Sequence, residues 1–99
     1  MRKDFEQIVS DIMEHLKNSG KSYYSEFYIG ITNDARRRLF EEHHVLQNSW
    51  WIYRTATSVE EARRVERYFL DMGMRGGDGG GNETSTVVYC YAVTPKTVE

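Results

Sequence analysis

The stretch FYIGITNDARRRLFEEH, residues 27–43, changes character halfway along. Its first half belongs to a run from Ser22 to Thr32 rich in aromatic and β-branched residues (Tyr23, Tyr24, Phe27, Tyr28, Ile29, Ile31). These favour a pleated surface and predict a strand through Tyr28. Asn33 and Asp34 are good cap residues, and Ala35 to His43 after them read as a helix.

Upstream, Phe5, Ile8, Val9, Ile12, Met13 and Leu16 recur at helical spacing, which predicts an amphipathic helix within residues 1–20, ended by Asn18, Ser19 and Gly20. Downstream, His44 to Ser49 reads as a loop and Trp50 to Ala56 as a strand. Ser58 with Glu61 forms a capping box, and Ala62, Val65, Phe69 and Met72 carry a helical stripe to Gly73. Six of the eight glycines fall between Gly73 and Gly81, which predicts a long, mobile loop over residues 74–83. Thr84 to Val93 follows, with seven consecutive apolar residues from Val87, as a strand buried on both faces, and Pro95 lies just past its end. The expected fold is α+β in the order α-β-α-β-α-β, a small three-stranded, mainly antiparallel sheet flanked by helices. Ninety-nine residues suit a single domain spanning 1–99.

Composition narrows the function. Apolar residues at 39% and charged residues at 28% suit a folded globule. The longest apolar run, Val87 to Val93, is far short of the ~20 residues a spanning helix needs, so no membrane partner is expected. Acids at Asp4, Glu6, Asp11 and Glu14 interrupt the N-terminal apolar positions, unlike a secretory signal, and the expected location is cytoplasmic. A single cysteine, Cys90, excludes an internal disulfide, and three scattered histidines make no zinc pattern. The net charge of −2 argues against non-specific binding to long nucleic acid, which relies on many cationic phosphate contacts. Arg36, Arg37 and Arg38, and then Arg63, Arg64 and Arg67, still allow local basic patches.

Three features could carry chemistry. At about 100° per residue Glu66 falls between Ala62 and Leu70, on the rim of its helix's apolar face, where a lone carboxylate must be paired or bound to a cation. An ion pair with an arginine is the ordinary alternative. On the same wheel Arg38 flanks the apolar face of its helix, while Arg36 and Arg37 point elsewhere, so Arg38 is the arginine aimed at the body of the protein and suited to a phosphate, with a solvated or ion-paired arginine as the ordinary reading. Of the seven tyrosines most should pack, and one used as a base needs a neighbouring positive charge. The glycine-rich segment contains neither GxxxxGK[ST] nor GxGxxG. His43 and His44 read as helix-end or surface histidines.

Tyr28-Ile29-Gly30, then Thr32, then Arg38 ten residues after the tyrosine, resemble the second half of the GIY-YIG nuclease signature. EEARRVE, with Ala62 and Glu66, resembles that family's later helix. The resemblance covers residues 27–43 and 58–70. It implies that Glu66 binds one divalent cation, magnesium or manganese, that Arg38 contacts the scissile phosphate, and that Tyr28 positions or deprotonates the attacking water. It implies a catalytic role for His43, one residue later than the family's helix-end histidine, and a substrate-side role for Thr32 and Asn33.

The chain departs from the family in its first motif. The nearest candidate for the GIY strand is Ser22-Tyr23-Tyr24, too close to Tyr28 to turn and pair. Either Tyr24, as a catalytic hydroxyl, with Tyr23 on the substrate side, acts from the same extended segment, or Val87 to Val93 replaces the strand and brings Tyr89 or Tyr91. The leading expectation is a metal-dependent phosphodiesterase acting on nucleic acid. The alternative is an inactive relative that binds a small phosphorylated nucleotide or a protein. An interaction module using Trp50 and Trp51, or a homo-oligomer, is the third reading.

Overall fold

A computed structural model describes residues 2–77 and 84–99 of the chain. Strand β1 (Arg2–Lys3) leads into helix α1 (Phe5–Leu16), and a 3-10 turn (Tyr24–Glu26) precedes β2 (Phe27–Thr32). A π-helix (Arg37–Glu42) then connects to β3 (Trp51–Ala56), helix α2 (Val59–Met72) and β4 (Val87–Ala92).

The chain forms an α+β fold around one mixed sheet of four strands in the order β1-β3-β4-β2. The three longer strands pair antiparallel with β4 in the middle, and β1 adds to β3 in parallel. This corrects the expected three-stranded sheet and the helix-first order. Two residues, Arg2 and Lys3, are too few to show the alternation by which a strand is read, and only pairing with Thr55 and Ala56 makes them one.

Local chemistry explains the helix ends. Asp4 caps α1, accepting from the Gln7 backbone amide at 2.9 Å while the Gln7 side chain accepts from the Asp4 amide at 3.0 Å. Ser58 caps α2 by accepting from the Glu61 amide at 3.1 Å. The expected return bond from Glu61 is not made: its carboxylate accepts from the Phe5 amide at 3.0 Å and pairs with Arg64, joining α2 to the start of α1. Gly73 ends α2 in the left-handed region, at φ 113°, where a side chain would be strained.

Beyond Gly73 the chain does not leave the body of the protein. Met74 is buried, and Arg75 bridges Tyr28 in parallel, its N–H donating to Phe27 and its carbonyl accepting from Ile29, both at 2.9 Å. Residues 74–77 have no helix or strand beyond this one bridge, and the part of the expected loop from 78 to 83 lies outside the described residues. Apolar character at Met74 and an open edge on β2 outweigh the glycine content.

Alternation along the strands sorts the interior into two clusters. Phe27, Ile29 and Ile31 of β2 with Val88, Cys90 and Ala92 of β4 pack against α1 and α2. Tyr28, Tyr89 and Tyr91 face the other way, onto Leu39, Val45, Phe40 and Trp51. Among the described residues no helix is long and apolar enough to cross a membrane.

Candidate functional site

The second cluster holds the polar side chains. Tyr28 and Tyr91 are register partners across β2 and β4, and their rings stack at 5.2 Å between centroids. Tyr89 is the partner of Gly30, whose place only glycine fills, since a Cβ there would stand 2.5 Å from the Tyr89 hydroxyl. Tyr89 and Tyr91 are both fully buried.

The π-helix supplies Arg38 and His43. Its wide turn is visible at its end, where the His43 amide donates to the Arg38 carbonyl, five residues back, at 2.9 Å. The regular helix expected over residues 35–43 is thus replaced by a wider one. In a regular α-helix Glu42 would take that place over Arg38. Here His43 does, and it is buried between the sheet and the chain after β4. Its Nε2 lies 2.8 Å from the Tyr89 hydroxyl and its Nδ1 lies 2.7 Å from the Val98 carbonyl. Burial is the main force holding its pKa below the ordinary imidazole value, with the Arg38 cation acting in the same direction.

Arg38 pairs through its Nη1 with Glu42 at 2.6 Å, and this carboxylate holds the guanidinium firmly charged. Its Nε is buried without a hydrogen-bond partner among the described residues. The guanidinium acts electrostatically on both Tyr28 and Tyr89, favouring their ionised forms, yet burial dominates and raises the pKa of each phenol. Arg36 is exposed, and Arg37 shares Glu42 at 3.2 Å.

Glu66 is half-buried on α2 and forms no ion pair among the described residues. Desolvation raises its pKa, only partly offset by the field of Arg63 and Arg67. The ordinary alternative of a structural ion pair is therefore not what the fold provides. The Glu66 carboxylate acts on Tyr28 and on Tyr89, so each phenol feels both Glu66 and Arg38. A backbone hydrogen bond from Gly77 also reaches the Tyr28 oxygen.

The other expected residues lie elsewhere. The Tyr24 hydroxyl turns to the Met13 sulfur at 3.6 Å, on the α1 side of the sheet, and Tyr23 is 70% exposed. The 3-10 turn, which replaces the expected strand before Phe27, directs both away from the cluster. Thr32 is buried and caps the next turn, accepting from the Asp34 amide at 3.1 Å, while Asn33 donates to Thr84 at 3.0 Å. Trp50 is packed in the first cluster, donating to the His15 carbonyl at 3.0 Å, and leaves Trp51 to stack with Tyr53. The residue that sequence reading left ambiguous is Tyr89, offered there only as one of two candidates. Alternation cannot choose between Tyr89 and Tyr91 because they face the same side; Tyr89 lies over Gly30 and meets His43 Nε2, and Tyr91 meets His43 Nδ1.

Among the described residues no three or more His, Cys, Asp or Glu side chains converge as a metal cage. Compared with protein-family models, with curated proteins and with solved structures, the chain matches none.

Proposed function

We propose that this chain is a GIY-YIG-like, metal-dependent phosphodiesterase acting on nucleic acid, with its first motif moved to the C-terminal strand. The observation that carries the reading is the packing of Tyr28 on Tyr89 at 6.3 Å between ring centroids, with His43 Nε2 2.8 Å from the Tyr89 hydroxyl and the charges of Arg38 and Glu66 acting on both phenols. These are the residue types the resemblance names, drawn from four separate elements. β4 lies antiparallel to β2 at the centre of the sheet and suits the role of the GIY strand, with Tyr89 as its tyrosine. The π-turn accommodates the extra residue between Arg38 and His43.

In this reading Arg38 grips the scissile phosphate. Its side chain is part-exposed and held charged by Glu42, and a planar guanidinium suits an anionic partner. Glu66 would hold a magnesium or manganese ion. One half-buried, unpaired carboxylate suits a hard cation that keeps most of its waters. When bound, the ion neutralises phosphate charge and lowers the pKa of its water.

Tyr28, its pKa raised by burial, stays protonated at neutral pH and orients the attacking water by hydrogen bonding. His43, held neutral, is the base: as water gives a proton to the Tyr89 oxygen, the Tyr89 proton passes to Nε2, and the positive charge ends on the imidazole.

The test is cleavage of supercoiled plasmid and of single-stranded oligonucleotides during titration with magnesium or manganese. Cleavage that falls at least ~10²-fold in both Arg38→Ala and Glu66→Gln is expected. No cleavage by the wild-type chain under any of these conditions overturns the reading. If a mononucleotide then binds, and binding is lost in Arg38→Ala alone, the non-catalytic alternative takes its place; the acidic balance of the chain favours a small ligand in that case.

A further inference from the structure

We infer that the segment after β4, Thr94–Glu99, is a positioning strap that sets the tautomer of His43 and thereby aims the Tyr89 proton at Nε2. The available donors decide the tautomer. The Val98 carbonyl stands 2.7 Å from Nδ1 and has no proton to give, so Nδ1 carries the hydrogen. A neutral imidazole has one N–H, so Nε2 is bare, and the Tyr89 hydroxyl 2.8 Å away must donate to it. The Tyr91 oxygen, 3.1 Å from Nδ1, can then only accept from that same N–H.

The strap is tied at several points. Thr94 and Thr97 close a tight turn, the Thr97 amide donating to the Thr94 carbonyl at 3.1 Å and the Thr94 amide to the Thr97 hydroxyl at 3.0 Å. The Val98 amide then donates to the His43 carbonyl at 2.8 Å, so Val98 grips both the backbone and the ring of one residue. Glu99 pairs with Arg75 at 2.8 Å, and Arg75 is itself held by the Ser25 carbonyl at 2.9 Å. The charged groups acting on His43 are Arg38, Glu42 and Glu99, with Tyr28, Tyr89 and Tyr91 packed around its ring.

The consequence is directional. With Nε2 bare, His43 is a proton acceptor and the lone pairs of Tyr89 remain for other partners. The opposite tautomer would place N–H against Tyr89 and leave no base. For the neutral ring the tautomer follows from who can donate at each nitrogen, and its use as a base rests on the nuclease reading.

The experiment needs no cleavage, so it separates the two. Protein labelled with ¹⁵N-histidine is studied by long-range ¹H–¹⁵N correlation above the pH at which free imidazole titrates, with His43 assigned by its loss in His43→Gln and exposed His44 as internal reference. The full chain should show His43 wholly as the Nδ1–H form. A chain ended at Thr97 should show both tautomers. Arg75→Ala, which frees Glu99 and also loses the bond to the Ser25 carbonyl, serves if the shortened chain does not fold, and should likewise admit the second form. An Nε2–H or cationic His43 in the full chain overturns the proposal. So does an unchanged, pure Nδ1–H form in the variant that loosens the strap.

Discussion

The two faces of the central strands carry residues from the same short segments yet follow different rules. On the α1 and α2 side, Ile29, Ile31, Val88 and Cys90 meet other apolar groups, and nothing there needs an orientation beyond close fit. On the other side Tyr28, Tyr89 and Tyr91 are as deeply placed, but each hydroxyl lies among charges and hydrogen-bonding groups. The first face stabilises by removing area from water. The second spends burial on polar groups whose partners must be supplied one by one, by Gly77, His43 and Val98. Alternate residues of one strand therefore separate apolar packing from a hydrogen-bonded polar cluster.

Neighbouring substitutions on β2 test that separation most directly. Ile29→Ala removes a fully buried aliphatic side chain and should cost about 2–5 kcal/mol in chemical unfolding. Tyr28→Phe, one residue away, should cost far less and abolish cleavage. Comparable losses of stability would erase the distinction between the faces. Gly30→Ala comes next: its Cβ would overlap the Tyr89 ring, and displacement of that ring should cost about 1–3 kcal/mol and disturb the His43 signals.

Glu66→Gln sharpens the comparison further. Burial raises the Glu66 pKa, so between the unfolded value and the raised folded one the folded protein binds more protons, stability falls as pH rises through that window, and above it the ionised group opposes folding in full. Glu66→Gln should leave Tm unchanged or higher at neutral pH while cleavage is lost. A fall in Tm would mark Glu66 as structural.

The smallest expected effect is a pH dependence. The folded pKa of His43 is depressed, so between it and the unfolded value of about 6.5 the unfolded state binds more protons. The contribution is full above that unfolded value and is lost as pH falls toward the folded one. Tm measured across this range should decline more steeply in the wild-type chain than in His43→Gln. Equal slopes would mean that His43 does not titrate differently on folding.

Much of this was legible in the residues. The stripes of α1 and α2 are long and strongly periodic, and both caps carry side chains suited to the task. The apolar run at Val87 to Val93 reads as a strand buried on both faces, and β4 occupies the centre of the sheet, paired with the strand that holds Tyr28. Glu66 and Arg38 stood out because each breaks the economy of its own helix face. The strand at Arg2–Lys3, the 3-10 turn at Tyr24 and the bridge at Arg75 could not be read this way, since each exists only through a partner distant in sequence.

The sequence by itself determined the α+β class, the helices, the three longer strands and the candidate status of Tyr28, Arg38 and Glu66, because periodicity and capping are local properties. Tertiary structure decided the rest. It set the Tyr89 ring over Gly30, turned Tyr24 toward Met13, and widened the helix so that His43 comes over Arg38. It also closed the cluster with Val98, whose contribution is a backbone carbonyl. Every residue carries that group, so no pattern of side chains can announce it; only the path of the folded chain places it against an imidazole nitrogen.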